Sequence, residues 1–171
     1  GVIFVGVIIK SLVFADASWE TVGTARFSTG DIKYTSLVFP SGSTTPYVAY
    51  TDSSDGSDRK VTVMKYDGSS WVAVGTPGFS ADWARYVTLA FPKDSATPYV
   101  AYLDGGNRAK ATVMKYDGSS WVAVGDPGFS DGTASFISLA FPSGSETPYV
   151  AYADGEGNRA TVKKYDGSAW V

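Results

Sequence analysis

Lys65-Tyr66-Asp67-Gly68-Ser69-Ser70-Trp71-Val72-Ala73-Val74-Gly75 recurs without a change as residues 115–125. Its centre is Asp-Gly, where glycine tolerates positive φ and the aspartate can bond its own backbone, so the stretch reads as strand, tight turn, strand. A diverged copy of its second half, Ser18-Trp19-Glu20-Thr21-Val22-Gly23, lies near the start, and a clipped copy occupies residues 164–171. The tryptophans Trp19, Trp71, Trp121 and Trp170 therefore recur at about 50 residues, a period that belongs to repeat arrays.

Working outward from the hairpin, each repeat offers four strand-like runs. In the unit beginning at Arg85 they are residues 85–91 (RYVTLAF), 99–103 (YVAYL), 111–116 (ATVMKY) and 121–124. Val87, Leu89 and Phe91 alternate with Tyr86, Thr88 and Ala90. Neither face of the first two runs is strongly polar, so both strands are expected to be covered on both sides. The third run admits Lys65, Lys115, Lys163 and Lys164 and is expected to be half exposed. That gradient places the tryptophan strand outermost, its ring packed over a neighbouring repeat rather than on a ligand. Pro92 and Pro98 sit at strand ends, where a missing N–H does least harm.

Composition excludes several chemistries. Hydrophobic residues make up 44% of the 171-residue chain and charged ones only 18%, which is an ordered chain rather than a disordered one. Nineteen glycines and eight prolines punctuate short apolar runs in the manner of an all-β protein. Cysteine and histidine are both absent. That removes disulfides, thiolate nucleophiles and the usual general base and transition-metal ligand, and with them Ser–His–Asp and histidine–zinc hydrolysis. The net charge of −3, without a basic run, gives no nucleic-acid footprint. No cofactor is implied.

Residues 1–17 read as the remnant of a signal peptide. Residues 1–9 (GVIFVGVII) are apolar and too short to span a bilayer, and Val13-Phe14-Ala15 and Ala15-Asp16-Ala17 hold the −3/−1 spacing for cleavage after Ala15 or Ala17. Export to the extracellular space or cell surface follows from that reading.

Four segments, Ser138-Leu139-Ala140-Phe141-Pro142, Thr147-Pro148-Tyr149-Val150-Ala151-Tyr152-Ala153-Asp154, residues 160–166 and Gly167-Ser168-Ala169-Trp170, resemble the β-propeller blade repeats of secreted bacterial proteins. The resemblance runs from Ser18 to the C-terminus and implies an all-β fold of four-stranded antiparallel blades. Blades are expected at about residues 33–75, 85–125 and 135–171, with an extra outer strand at 18–23. WD40 and Kelch signatures are missing. Asp117-Gly118-Ser119-Ser120-Trp121 is one residue short of a sialidase-type Asp box, so no sialidase chemistry is carried over. Closed propellers have about four to eight blades. Three blades therefore mean either a fragment of a longer propeller, the favoured reading, or self-assembly of chains into a closed ring. A β-trefoil is the rival fold.

The repeats differ in two sets of loops, residues 24–33, 76–85 and 126–135, and residues 52–60, 104–110 and 154–159. Both sets are expected at one end of the blades, with the constant turns at the other. The varied end carries the candidate ligand contacts Lys33, Asp82, Trp83, Arg85, Asp131 and Thr133, among which an exposed Trp beside an Arg suits a sugar or peptide. Asp52 with Arg59, Asp104 with Arg108 and Asp154 with Arg159 are expected to pair as ionic braces. Asp52, Asp55 and Asp58 are a weak calcium candidate by spacing. These features imply a secreted, non-catalytic module that binds a glycan or protein ligand. The alternatives are a scaffold within a larger glycan-acting propeller enzyme and a purely structural repeat protein.

Overall fold

The computed structural model describes residues 18–53, 59–155 and 157–171. Each repeat forms its own antiparallel meander. β1 (Ile32–Val38), β2 (Tyr47–Asp52), β3 (Lys60–Tyr66) and β4 (Trp71–Ala73) pair in chain order. β5 (Ala84–Ala90), β6 (Tyr99–Asp104), β7 (Lys110–Tyr116) and β8 (Trp121–Ala123) repeat that order. β9 (Ala134–Ala140), β10 (Tyr149–Asp154) and β11 (Arg159–Lys164) form the third sheet, extended by a bridge between Tyr165 and Trp170. Among the described residues the fold is all-β, save one short 3-10 turn, Gly105–Asn107. The expected signal remnant at residues 1–17 lies outside the described residues, as do Asp55 and Asp58.

The recurring hairpin forms for the reason its sequence gives. Asp67 Oδ1 accepts the backbone N–H groups of Ser69 and Ser70, both at 2.8 Å, and Gly68 takes φ +100°. Asp117 and Asp166 repeat the arrangement. At the same end, the Pro46, Pro98 and Pro148 carbonyls accept from Tyr66, Tyr116 and Tyr165, tying the proline turn to the next strand.

Apolar cores lie between sheets, not within one. Ala49, Val61 and Val63 of the first sheet meet Val87, Leu89 and Val100 of the second. Ala101, Ala111 and Val113 of the second meet Ile137, Leu139 and Val150 of the third. β6 is buried along its whole length, as expected for a doubly covered strand.

The first strand of each sheet departs from its expected double burial. In β5 Val87 and Leu89 are buried while Arg85 is exposed, and β1 is exposed along much of its length. These strands are sheet edges, and each is broken by a bulge at Tyr34, Tyr86 or Phe136. All three take left-handed φ values, 55°, 51° and 52°, a conformation costing roughly 1–2 kcal/mol per non-glycine residue. The bulges align their rings in a column, with centroids 5.3 Å apart from Tyr34 to Tyr86 and 5.1 Å from Tyr86 to Phe136.

Each repeat is fastened to the one before it through its tryptophan, the packing role expected of that ring. The Trp121 indole N–H donates to the Val74 carbonyl at 2.8 Å, and the ring stacks on Phe79 at 4.4 Å. Trp170 does the same with Val124 and Phe129, and Trp71 with Val22 and Phe27. Gly75 lies beneath these rings, so that a Cβ there would sit 2.9 Å from Tyr116 and 3.0 Å from Trp121. Trp121→Phe removes the donor and leaves the Val74 carbonyl without it, which costs ~1–3 kcal/mol for a buried group. Trp71, whose bond is solvent-exposed, loses less on the same change. Urea unfolding of the two variants is expected to rank them in that order; equal losses would show that burial of the bond is not what matters.

Candidate functional site

The varied loops do gather at one end. The Phe79 N–H reaches the Val61 carbonyl, and Ala84 N–H reaches that of Arg59, so the segment entering each new sheet runs beside the start of the preceding third strand. Ser80 ties the two together by accepting from the Val61 N–H at 3.1 Å and donating to the Asp82 carbonyl at 2.8 Å. Ser130 does the same with Ala111 and Gly132.

Of the six residues expected to contact ligand, the structure brings together one group. The Arg85 guanidinium lies 4.9 Å from the Trp83 ring centre, and the Asp82 carboxylate accepts from the Trp83 N–H at 2.7 Å. Trp83 is half-buried because it lies flat against Gly105, where any Cβ would collide with the ring. Lys33 is exposed on β1 opposite Thr51. Asp131 pairs instead with Lys163, at 3.6 Å, beside a cavity of about 320 Å³ lined by Gly132, Asp154, Arg159 and Thr161. Thr133 is exposed and closes against Gly155.

The expected ionic braces are not what holds this end. Among the described residues Asp131–Lys163 is the sole ion pair. Asp104 is buried and accepts from Gly106 N–H, the Asn107 amide and the Thr112 hydroxyl, the last two at 2.8 Å. A buried carboxylate is better met by several fixed short-range donors than by one flexible cation. Asp52 accepts from the Thr29 hydroxyl at 3.2 Å, while Arg59 donates to the Asp31 carbonyl. Among the described residues no cluster of acidic side chains is placed to hold a metal ion.

A larger cavity lies at the opposite, constant end. It is a cleft of about 620 Å³ between the first two sheets, closed on one side by Glu146 from the turn between β9 and β10. Its walls come from strand register. Tyr47 stands opposite Lys65 on β2 and β3, and Tyr99 opposite Lys115 on β6 and β7. Residues directly opposite in an antiparallel pair share a face, so each sheet presents a tyrosine–lysine pair. Both pairs line the cleft, together with Tyr116, Asp117 and the 95–98 turn. Tyr149 and Lys164 hold the same register in the third sheet, next to a smaller cleft of about 250 Å³.

Electrostatics fix what these groups can do. Burial and then the Glu146 carboxylate push the Tyr99 hydroxyl above its ordinary value, so it stays a protonated donor. Four hydrogen bonds from Ser119 and Ser120 hold Asp117 down at about 2, so it is a committed acceptor in its turn. The lysines donate only. Sequence reasoning passed over these residues because they recur unchanged; the usable signal was the fixed Tyr-to-Lys register across two strands.

No protein-family model matches this chain, and no curated protein matches it in sequence.

The turn carboxylates set an acid limit. Asp67 and Asp117 both sit at about 2, with backbone N–H groups as the main cause, and Asp166 is lowered for the same reason. A depressed folded value means their contribution is complete above the ordinary carboxylate range near pH 4 and is lost as pH falls toward 2. The urea midpoint is expected to drop across that window. Asp117→Asn keeps the acceptor oxygen and should shrink the drop; an unaltered profile would remove Asp117 from the account.

Proposed function

We propose that this chain is a non-catalytic binding module built of propeller-type blades, and that it takes carbohydrate in the cleft at its constant-turn end. The observation that carries this reading is the pairing of Tyr47 with Lys65 and Tyr99 with Lys115 around one cavity. The volume falls within the range of small-ligand sites, about 300–1,000 Å³. The Tyr47 and Tyr99 rings are themselves packed on Phe91 and Phe141, so the recognition falls to the ammonium groups and the Tyr99 hydroxyl, which offer donors to a sugar's oxygens.

Two features favour blades over a trefoil. Among the described residues no strand pairs outside its own repeat, and the sheets bury their faces against one another. A trefoil barrel needs strands of different repeats to pair. The absence of histidine and cysteine supports binding rather than catalysis. So does the commitment of Asp117 to its turn, since acid–base hydrolysis of a glycoside needs two carboxyl groups with one kept protonated. Export rests on residues 1–17 alone. Among the described residues no helix is long and apolar enough to cross a membrane.

An array of neutral and acidic oligosaccharides, followed by calorimetry on the best binder, tests the reading. Lys115→Ala and Lys65→Ala should each weaken binding about tenfold or more, the effect of losing a charge-assisted hydrogen bond, without lowering the unfolding midpoint. Binding insensitive to both changes but lost in Trp83→Ala moves the site to the varied end. A protein ligand retained where every glycan fails replaces carbohydrate as the partner class.

A further inference from the structure

The cleft at the constant end has a neighbour. Its wall takes residues 95–98 and 116–118 from the second repeat. The matching residues of the third repeat, Glu146, Thr147, Pro148, Tyr165, Asp166 and Gly167, line the smaller cleft of about 250 Å³. Glu146 lines both, so the two clefts adjoin along one rim. Packing of a neighbouring sheet does not close this end. Ile137 and Leu139 of the third sheet meet Ala101 and Val113 of the second, and the turns of the second repeat still stand in an open wall.

The chemistry along this rim is periodic. Lys65, Lys115 and Lys164 stand opposite Tyr47, Tyr99 and Tyr149 in the same register of their sheets. Asp117 lines the larger cleft and Asp166 the smaller, each held ionised by N–H groups of its own hairpin. The Lys164 ammonium also helps to lower Asp166, which places that charge beside the smaller cleft. Resting on the carbohydrate reading above, we infer that this end binds a linear, neutral polysaccharide laid across both clefts. A periodic surface is matched by a periodic ligand. A chain seated in the first cleft carries its next units to the second as an intramolecular event, and affinity rises by avidity. Hydroxyl groups both donate and accept, so a neutral glycan meets ammonium and carboxylate groups alike. A polyuronate would satisfy the lysines but set its own carboxylates against Asp117, Glu146 and Asp166, where like charges repel.

Calorimetry of the 171-residue chain tests this with cello-, malto- and manno-oligosaccharides from disaccharide to octasaccharide, beside oligogalacturonates of equal length. In the neutral series that binds, affinity is expected to climb roughly tenfold or more once a chain spans both clefts and then to level off, with one chain bound per protein. Lys164→Ala, at an exposed position, should bring the longer chains down to the affinity of the disaccharide, whereas Lys115→Ala should weaken every length. Affinity that is flat with length overturns the inference while leaving a single-cleft carbohydrate site standing, as does a length gain that survives Lys164→Ala. Tighter binding of the galacturonates overturns the neutral class. Failure of every series removes the carbohydrate reading and this inference with it.

Discussion

A buried indole N–H must find an acceptor, and in this protein the acceptor belongs to the neighbouring repeat. Trp121 reaches the Val74 carbonyl and Trp170 that of Val124, each while stacked on a phenylalanine of the same connecting segment. The glycine after each carbonyl has to be a glycine, because the tyrosine and tryptophan rings fill the space of a side chain. Everything nearer the inner strands follows from this contact. It sets the spacing of consecutive sheets, and that spacing lets alanine and valine of one sheet close against leucine and valine of the next.

What was legible in the sequence was what is local or periodic. The Asp-Gly turn is decided within four residues, and the tryptophan repeat gave the meander and its order. The end-to-end division of constant and varied loops also followed from counting strands. The bulges did not, because Tyr34, Tyr86 and Phe136 are aromatic residues at φ values usually left to glycine. Only the cross-sheet ring column makes that conformation worth its cost. Asp104 was misread for a related reason. Its neighbour Arg108 is close in sequence, but the groups that satisfy it are the Gly106 N–H, the Asn107 amide and, across the strand register, the Thr112 hydroxyl.

The cleft shows a different limit. Its walls are drawn from three repeats, and its tyrosines and lysines repeat so faithfully that they look like scaffolding. In a repeat protein, invariance between copies can preserve a shared site as readily as a shared fold. The third copy also shows what drift does. Met64 and Met114 accept the hydroxyls of Tyr50 and Tyr102, but lysine stands at position 163, so the Tyr152 hydroxyl has lost that partner and the lysine pairs with Asp131 instead.

The identity of residues 65–75 and 115–125 has a kinetic consequence. Two hairpins of the same sequence meet landing places of nearly the same chemistry, Val22 to Phe27 and Val74 to Phe79. In the native state Trp71 and Trp121 reach back 49 and 47 residues. A swap that sent Trp121 to Val22 would roughly double the span, which by loop-closure entropy is worth only ~0.6 kcal/mol. Local energies therefore discriminate poorly between correct and exchanged docking, and misassembled species of the kind repeat proteins form become competing traps during folding. Fidelity falls to the few positions where the copies differ, so the variable residues label each repeat for the chain itself.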